Sequence, residues 1–471
     1  MTDILLLPIA ELAARYRAGT LSPLDVAKAH LARIALVEPS LHAFQIVDDA
    51  GAHAMAEAAA ARFRAGAPLS VLDGVPLTIK DNVDVAGFPT RNGSLTTTDD
   101  PAPGDAPVVA RLREAGAVFL GKTTTPEFGW KGITDSRVKG YVTRNPWNLD
   151  KSPGGSSGGA AAAVAAGIGS VAFGNDGGGS IRIPAAFSGL YGIKPQFGRV
   201  PHSPLEGFFA TVVSGGPLAR SVADAAATLS IMARPDDRDW YALPPPDAGW
   251  LDDLQPRLKG LRLAWAPGLG GAEPDDDIGD VTQAAVDRLR AAGAEVTEVG
   301  AVIMRLRPAF EAFWRASFAT RLRMVPRERW DEIDAGYVAV AERGMDVGLE
   351  PVLAAEKERA RLHRQLAELF RGYDLLVTPT TPHAAPDVET EYNSQGYDRW
   401  KDAVPYTLPF NLTGNPAASL PCGLTDGGLP VGLQLVGPKF SERLILEASL
   451  GMEPLFAFDS IRRERMKALH G

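Results

Sequence analysis

Apolar and polar positions along this chain follow two different periods. Near the N-terminus, Ser22-Pro23-Leu24-Asp25 supplies a cap residue, a proline at the first helical position and an acid in the first turn. The run that follows to Leu36 places Val26, Ala29, Ala32 and Leu36 at near-helical spacing, which predicts a helix buried on that face. Residues 51–64 predict a second, alanine-rich helix. The texture then changes. Val75-Pro76-Leu77-Thr78-Ile79-Lys80 is a short apolar run ending on a lysine and predicts a buried strand. Val108 to Ala115 predicts a helix, Gly116 its stop, and Ala117 to Lys122 a strand. Helix, glycine and strand return in that order over Arg288 to Val296, the punctuation of parallel α/β units.

Between residues 140 and 200, two glycine-serine clusters flank an alanine-rich segment, Ala160 to Ala166, and a short predicted strand, Ser170 to Phe173. Residues 235–256 are rich in Pro and Asp and predict a surface loop. Residues 300–400 predict helices carrying large aromatics, among them Trp330 and Tyr337. Phe310, Phe313, Trp314 and Phe318 fall on one face of such a helix. A stripe of this kind is a core face first; if it lines a cleft, the substrate is bulky and apolar or aromatic. Strands are expected again at Asp374 to Thr378 and Gly432 to Val436. The pattern fits one large α/β domain with an inserted helical cap better than several separate units.

Composition narrows the function classes. The 471 residues carry 48 Lys and Arg against 57 Asp and Glu, a net charge of −9. An acidic balance argues against general nucleic-acid binding, which needs a basic footprint. Cys422 is the single cysteine, so neither an intrachain disulfide nor a cysteine metal cluster is expected, in keeping with a reducing compartment. The apolar run Ile4 to Leu7 lacks a basic lead-in and a cleavage site, and no uninterrupted apolar window is long enough for a membrane span. The expectation is a cytoplasmic protein with no signal peptide.

Two motif matches carry little chemistry. Gly116 to Thr123 fits the pattern of a phosphate-binding loop, but its four inner residues are apolar and read as the strand itself. Gly154-Gly155-Ser156-Ser157-Gly158 fits a nucleophile elbow, yet the residues before it, Asn148 to Pro153, are polar and proline-broken rather than a strand. A Ser-His-Asp triad would also draw on His202, His363, His383 or His470, none of which has a distinctive setting.

A third constellation is more specific. Lys80 ends an apolar strand, Ser156 lies in Lys151-Ser152-Pro153-Gly154-Gly155-Ser156-Ser157-Gly158-Gly159, and Ser180 lies in Gly177-Gly178-Gly179-Ser180-Ile181-Arg182-Ile183-Pro184-Ala185. With these go Gly74 to Asn82, Asn145-Pro146-Trp147-Asn148, Gly189 to Pro195, Gly198-Arg199-Val200, Pro409 to Pro416 and Gly428 to Gln434. In this order, over nearly the whole chain, the set resembles the amidase signature family.

The resemblance implies a large mixed central β-sheet covered by helices on both faces, with a helical cap. It implies a serine hydrolase without histidine. A serine hydroxyl needs a base at neutral pH. By the resemblance Ser180 attacks the carbonyl, Ser156 bridges, and Lys80 drives the proton relay. An apolar strand favours the neutral amine that this role requires. Ser156 is held after a cis peptide from Gly155, Ser157 caps the alanine-rich helix, and the amides of Gly177, Gly178, Gly179 and Ser180 form an oxyanion hole. Asp176 and Arg182 orient that loop. Gly129, Trp130, Phe313 and Trp314 are candidates for the substrate wall. Family members carry Thr-Asp-Thr where this chain has Asn175-Asp176-Gly177, so hydroxyls that could bond Ser156 or the loop are missing.

The implied function is hydrolysis of C–N amide bonds through an acyl-serine intermediate, on bulky apolar or aryl amides and also aryl esters or carbamates. The alternatives are the glutaminase subunit of a transfer-RNA amidotransferase and a non-catalytic binding protein on the same fold. No cofactor and no metal are expected, because histidines are few and scattered. The expected partner is a small-molecule amide, ester or carbamate, with no nucleic acid, no membrane, and a monomeric or homodimeric state.

Overall fold

The computed structural model describes residues 2–203, 211–247, 249–269, 271–300, 307–389 and 405–468. His470 therefore lies outside the described residues, as do parts of the 300–400 region. Strands are β1 Phe44–Val47, β2 Pro76–Lys80, β3 Val118–Thr123, β4 Asp135–Ser136, β5 Tyr141–Val142, β6 Val171–Asp176, β7 Tyr191–Lys194, β8 Ser214–Ala219, β9 Arg262–Trp265, β10 Glu295–Glu298, β11 Leu375–Pro379, β12 Ala417–Leu424 and β13 Pro430–Val436. All but β4 and β5, which form a small hairpin, join one sheet in the order β1-β3-β2-β6-β8-β7-β12-β13-β11-β9-β10. Pairing is parallel for β3-β2-β6 and for β11-β9-β10 and antiparallel elsewhere, so the sheet is mixed.

Side chains along the inner strands alternate between two cores, as a pleated sheet requires. Leu77, Ile79, Phe119, Val171, Phe173, Leu263, Trp265, Leu375 and Val377 pack on one face against helices Pro107–Glu114, Val222–Met232, Asp276–Ala291 and Glu442–Phe456. Their neighbours Val118, Leu120, Ala172, Ala264 and Leu376 turn to the other face. There they meet helices Pro23–Leu41, Gly158–Ala165, Arg307–Leu322, Ala335–Glu342 and Leu349–Gly372. Helices on both faces, and strands buried on both sides, follow from this. Among the described residues, no helix is long and apolar enough to cross a membrane.

The predicted elements are present, with three corrections. The first concerns helix Pro23–Leu41, capped by Ser22 Oγ accepting from the Leu24 amide at 3.2 Å. It buries Val26, Ala27, His30, Leu31 and Ile34, whereas Ala29 and Ala32 lie outside the core and Leu36 is 64 % exposed. The larger side chains at 31 and 34 set the face, and the alanines do not. Second, β6 runs three residues past Phe173 and brings Asn175 and Asp176 into the sheet. Third, β8 and β12 have no alternation to reveal them. Ser214-Gly215-Gly216-Pro217-Leu218-Ala219 has low strand propensity but is wholly buried between β6 and β7. In β12 the pairing with β7 stops at Ser419, before the Pro421 that cannot donate to a ladder.

Candidate active site

Lys80 is the last residue of β2, a strand with parallel neighbours on both sides, β3 and β6. Its side chain is fully buried. Nζ lies 2.7 Å from Ser156 Oγ and 2.7 Å from Asn175 Oδ1. Removing the ammonium from water disfavours its charge, and this pushes the Lys80 pKa down to about 7 against the opposing pull of Asp176. The ordinary alternative for this lysine, a salt bridge with Asp81, is not made. Asp81 pairs instead with Lys122 of β3 at 2.8 Å. That lysine belongs to the phosphate-loop match, which folds as strand β3.

Ser156 precedes helix Gly158–Ala165 and follows a cis peptide bond from Gly155. Gly155 has no room for a side chain, since a Cβ there would lie 2.8 Å from the Lys131 carbonyl oxygen. The loop that presses on Gly155 continues from Gly129, whose own Cβ position is 3.1 Å from Ser156 Oγ. Gly129, a candidate for the substrate wall, thus lies directly against Ser156. Ser157 occupies the cap position of the helix but makes no cap bond. Its hydroxyl donates to the Asn175 carbonyl at 3.2 Å and its amide donates to the Ser180 carbonyl at 3.2 Å. It ties the two serine loops together rather than capping.

Ser180 is partly exposed where Ser156 and Lys80 are buried. Its loop is organised by Asp176. One carboxylate oxygen accepts from the Gly179 amide at 2.7 Å and the other from the Ile181 amide at 3.1 Å. Gly179 is therefore committed to Asp176, which leaves Gly177, Gly178 and Ser180 of the four amides expected to face an oxyanion. A side chain at Gly179 would collide with Thr407 Oγ1 at 2.5 Å. Arg182 grips Asp176 with two bonds of 3.0 and 2.9 Å and spends its remaining donors on the Thr407 carbonyl, Gln434 and Asn411. The guanidinium holds the Asp176 carboxyl below the usual range in spite of full burial. Asp176 and Arg182 orient the loop, as expected. Arg182→Met should lower the free energy of unfolding by about 3–5 kcal/mol, because it leaves a buried carboxylate unpaired. Denaturant midpoints at constant slope would measure this, and a change under about 1 kcal/mol would contradict it.

The substrate-wall candidates separate. Trp130 is fully buried, edge-on to Tyr337 at 6.4 Å between ring centres, with the Lys131 ammonium 5.3 Å from its ring. It packs rather than faces a cleft. Phe313 and Trp314 are buried in the helical layer, Phe313 beneath the Arg359 guanidinium and Trp314 between Phe310 and Phe318. The residue that reaches the serine loop is Phe310, with Leu408: each would touch a Cβ at Gly178 at 3.6 Å. Phe310 belongs to the aromatic stripe, but the stripe alone does not say which ring points at the loop. Among the described residues no histidine bonds either serine. His383 lies against Phe187, and His202 meets Asp239 through its backbone amide. Nor do the described residues hold a group of three or more His, Cys, Asp or Glu able to bind a metal.

The Amidase family model matches residues 25–446. The chain belongs to the amidase signature family. An acylamidase of Rhodococcus erythropolis is 36% identical over 465 residues, with 95% of each chain covered. A glutamyl-tRNA(Gln) amidotransferase subunit from Roseiflexus castenholzii (strain DSM 13941 / HLO8) is likewise 36% identical, over 470 residues and 95% of each. A solved bacterial aryl acylamidase of the amidase signature family superposes with a TM-score of 0.87 at 27% identity, covering 98% of each chain. This amidase signature protein is accordingly an enzyme that hydrolyses carbon–nitrogen bonds.

Proposed function

We propose that this amidase signature enzyme is a stand-alone amide hydrolase, acting on bulky apolar or aryl amides through an acyl-Ser180 intermediate. The observation that carries the reading is the buried Lys80 Nζ at 2.7 Å from Ser156 Oγ, with a pKa lowered to about 7. With the amine neutral, Ser156 donates its proton to the lysine lone pair and in turn receives the proton of Ser180. Ser180 Oγ attacks the substrate carbonyl carbon, and the oxyanion faces the amides of Gly177, Gly178 and Ser180. The C–N bond then breaks as the proton held by Lys80 returns through Ser156 to the leaving nitrogen. Water repeats the sequence on the acyl-enzyme to free the acid. Aryl esters and carbamates follow the same route with other leaving groups.

Phe310 and Leu408 above Gly178 support an apolar acyl or aryl group at the carbonyl. The glutaminase-subunit reading keeps one specific support, the equal 36% identity to the Roseiflexus amidotransferase chain. A hydrolysis panel with the purified chain alone separates the two. Anilides and aryl esters should turn over at least tenfold faster, in kcat/KM, than glutamine. Glutamine turnover that appears only with a partner protein, with anilides inert, would overturn the stand-alone reading.

A further inference from the structure

Lys80 has a second contact that its role as base does not by itself require. Asn175 Oδ1 stands 2.7 Å from Nζ, as close as Ser156. Asn175 is itself fixed, in the sheet at the end of β6, with its carbonyl accepting from Ser157 Oγ at 3.2 Å. A neutral amine has N–H donors and one lone pair. To take a proton from Ser156 the lone pair must point at Ser156 Oγ, so the N–H groups need acceptors elsewhere. The amide oxygen of Asn175 is such an acceptor and brings no charge. A carboxylate in the same place would hold the lysine protonated.

We propose that Asn175 is a positioning residue for Lys80: its uncharged oxygen takes an N–H and turns the lone pair toward Ser156. The proposal rests on the reading of Lys80 as the base.

Other charged groups bear on the same amine. Asp176 follows on β6 and is held ionised by Arg182, with Lys194 also in its field. His202 feels Lys80 across the site and is pushed below its ordinary range by burial, so it stays neutral above pH 7. Asp81, next along the chain, is paired with Lys122.

The test is the pH dependence of kcat/KM for one anilide. Asn175→Asp should move the acid limb up by about 1–3 pH units, the effect of an opposite charge in contact, with activity recovering toward wild type on the alkaline side. Asn175→Leu, of similar size without an acceptor, should lose at least tenfold in kcat with little change in KM and no upward move of the limb. Circular dichroism confirms that each variant is folded. An unmoved limb in folded Asn175→Asp, or unchanged kcat in folded Asn175→Leu, would overturn the positioning role. Failure of the base reading is seen separately, as amide turnover surviving in Lys80→Arg.

Discussion

Ser180→Ala is expected to lower amide turnover by about 10⁴–10⁶-fold while leaving the fold intact, in line with removal of the nucleophile in other serine hydrolases. The side chain is partly exposed and lies outside the Asp176–Arg182 framework that shapes the loop, so the unfolding midpoint should not move. Binding of an unreactive substrate analogue should persist, because the apolar wall and the glycine amides remain. Ser156→Ala should also be severe, since the relay is cut, but it leaves the attacking hydroxyl in place. Single-turnover experiments tell the two apart. Ser180→Ala forms no acyl-enzyme at any time, whereas Ser156→Ala forms it slowly. Acyl-enzyme accumulating in Ser180→Ala would place the nucleophile elsewhere.

Much of this site is legible in the amino-acid sequence. Lys80, Ser156 and Ser180 lie far apart along the chain, yet each sits in a run whose composition suits the task proposed for it. An apolar strand ends on a lysine, and two glycine-rich loops each present a serine. Strands β2 and β6 are parallel neighbours, so their carboxyl ends bring these runs to one edge of the sheet, where open α/β sheets hold their ligands. What stayed hidden depends on side-chain direction. The stripe Phe310, Phe313, Trp314 and Phe318 marks a buried helix face, but only packing shows that Phe310 is the ring beside Gly178. Trp130 follows Gly129 directly, yet the loop turns it into the core while the glycine covers Ser156. Ser157 has the residue type and position of a helix cap, and the nearby Asn175 carbonyl competes successfully for its hydroxyl. Strand β8 carries no sequence signal because a glycine- and proline-bearing strand is stabilised by its neighbours and not by its own propensity.

Lys80 should be nearly as intolerant as Ser180. Lys80→Ala is expected to cost at least about 10²–10⁴-fold in kcat, the usual weight of general acid–base catalysis, with a far smaller change in KM. Lys80→Arg should be about as damaging, because guanidinium stays protonated at any working pH. The wild-type profile carries the same information. With the lysine near 7, kcat/KM should rise through neutral pH as the amine loses its proton, and level off on the alkaline side. Stability follows a related sign. A lysine whose folded pKa lies below its unfolded value binds fewer protons when folded, so its penalty is fully present below about pH 7 and relieved as pH rises toward the unfolded lysine pKa. Esters, with better leaving groups, should suffer less from either substitution than amides, whose leaving nitrogen must be protonated. Near wild-type amide turnover by folded Lys80→Arg at neutral pH would reduce Lys80 to a charge partner.

The mechanism turns on a covalent bond to one serine. Intact-mass analysis after treatment with a sulfonyl fluoride, followed by peptide mapping, tests it most directly. The expected result is a single adduct, located at Ser180 and absent from Ser180→Ala; an adduct confined to Ser156, or labelling unchanged in Ser180→Ala, would contradict it.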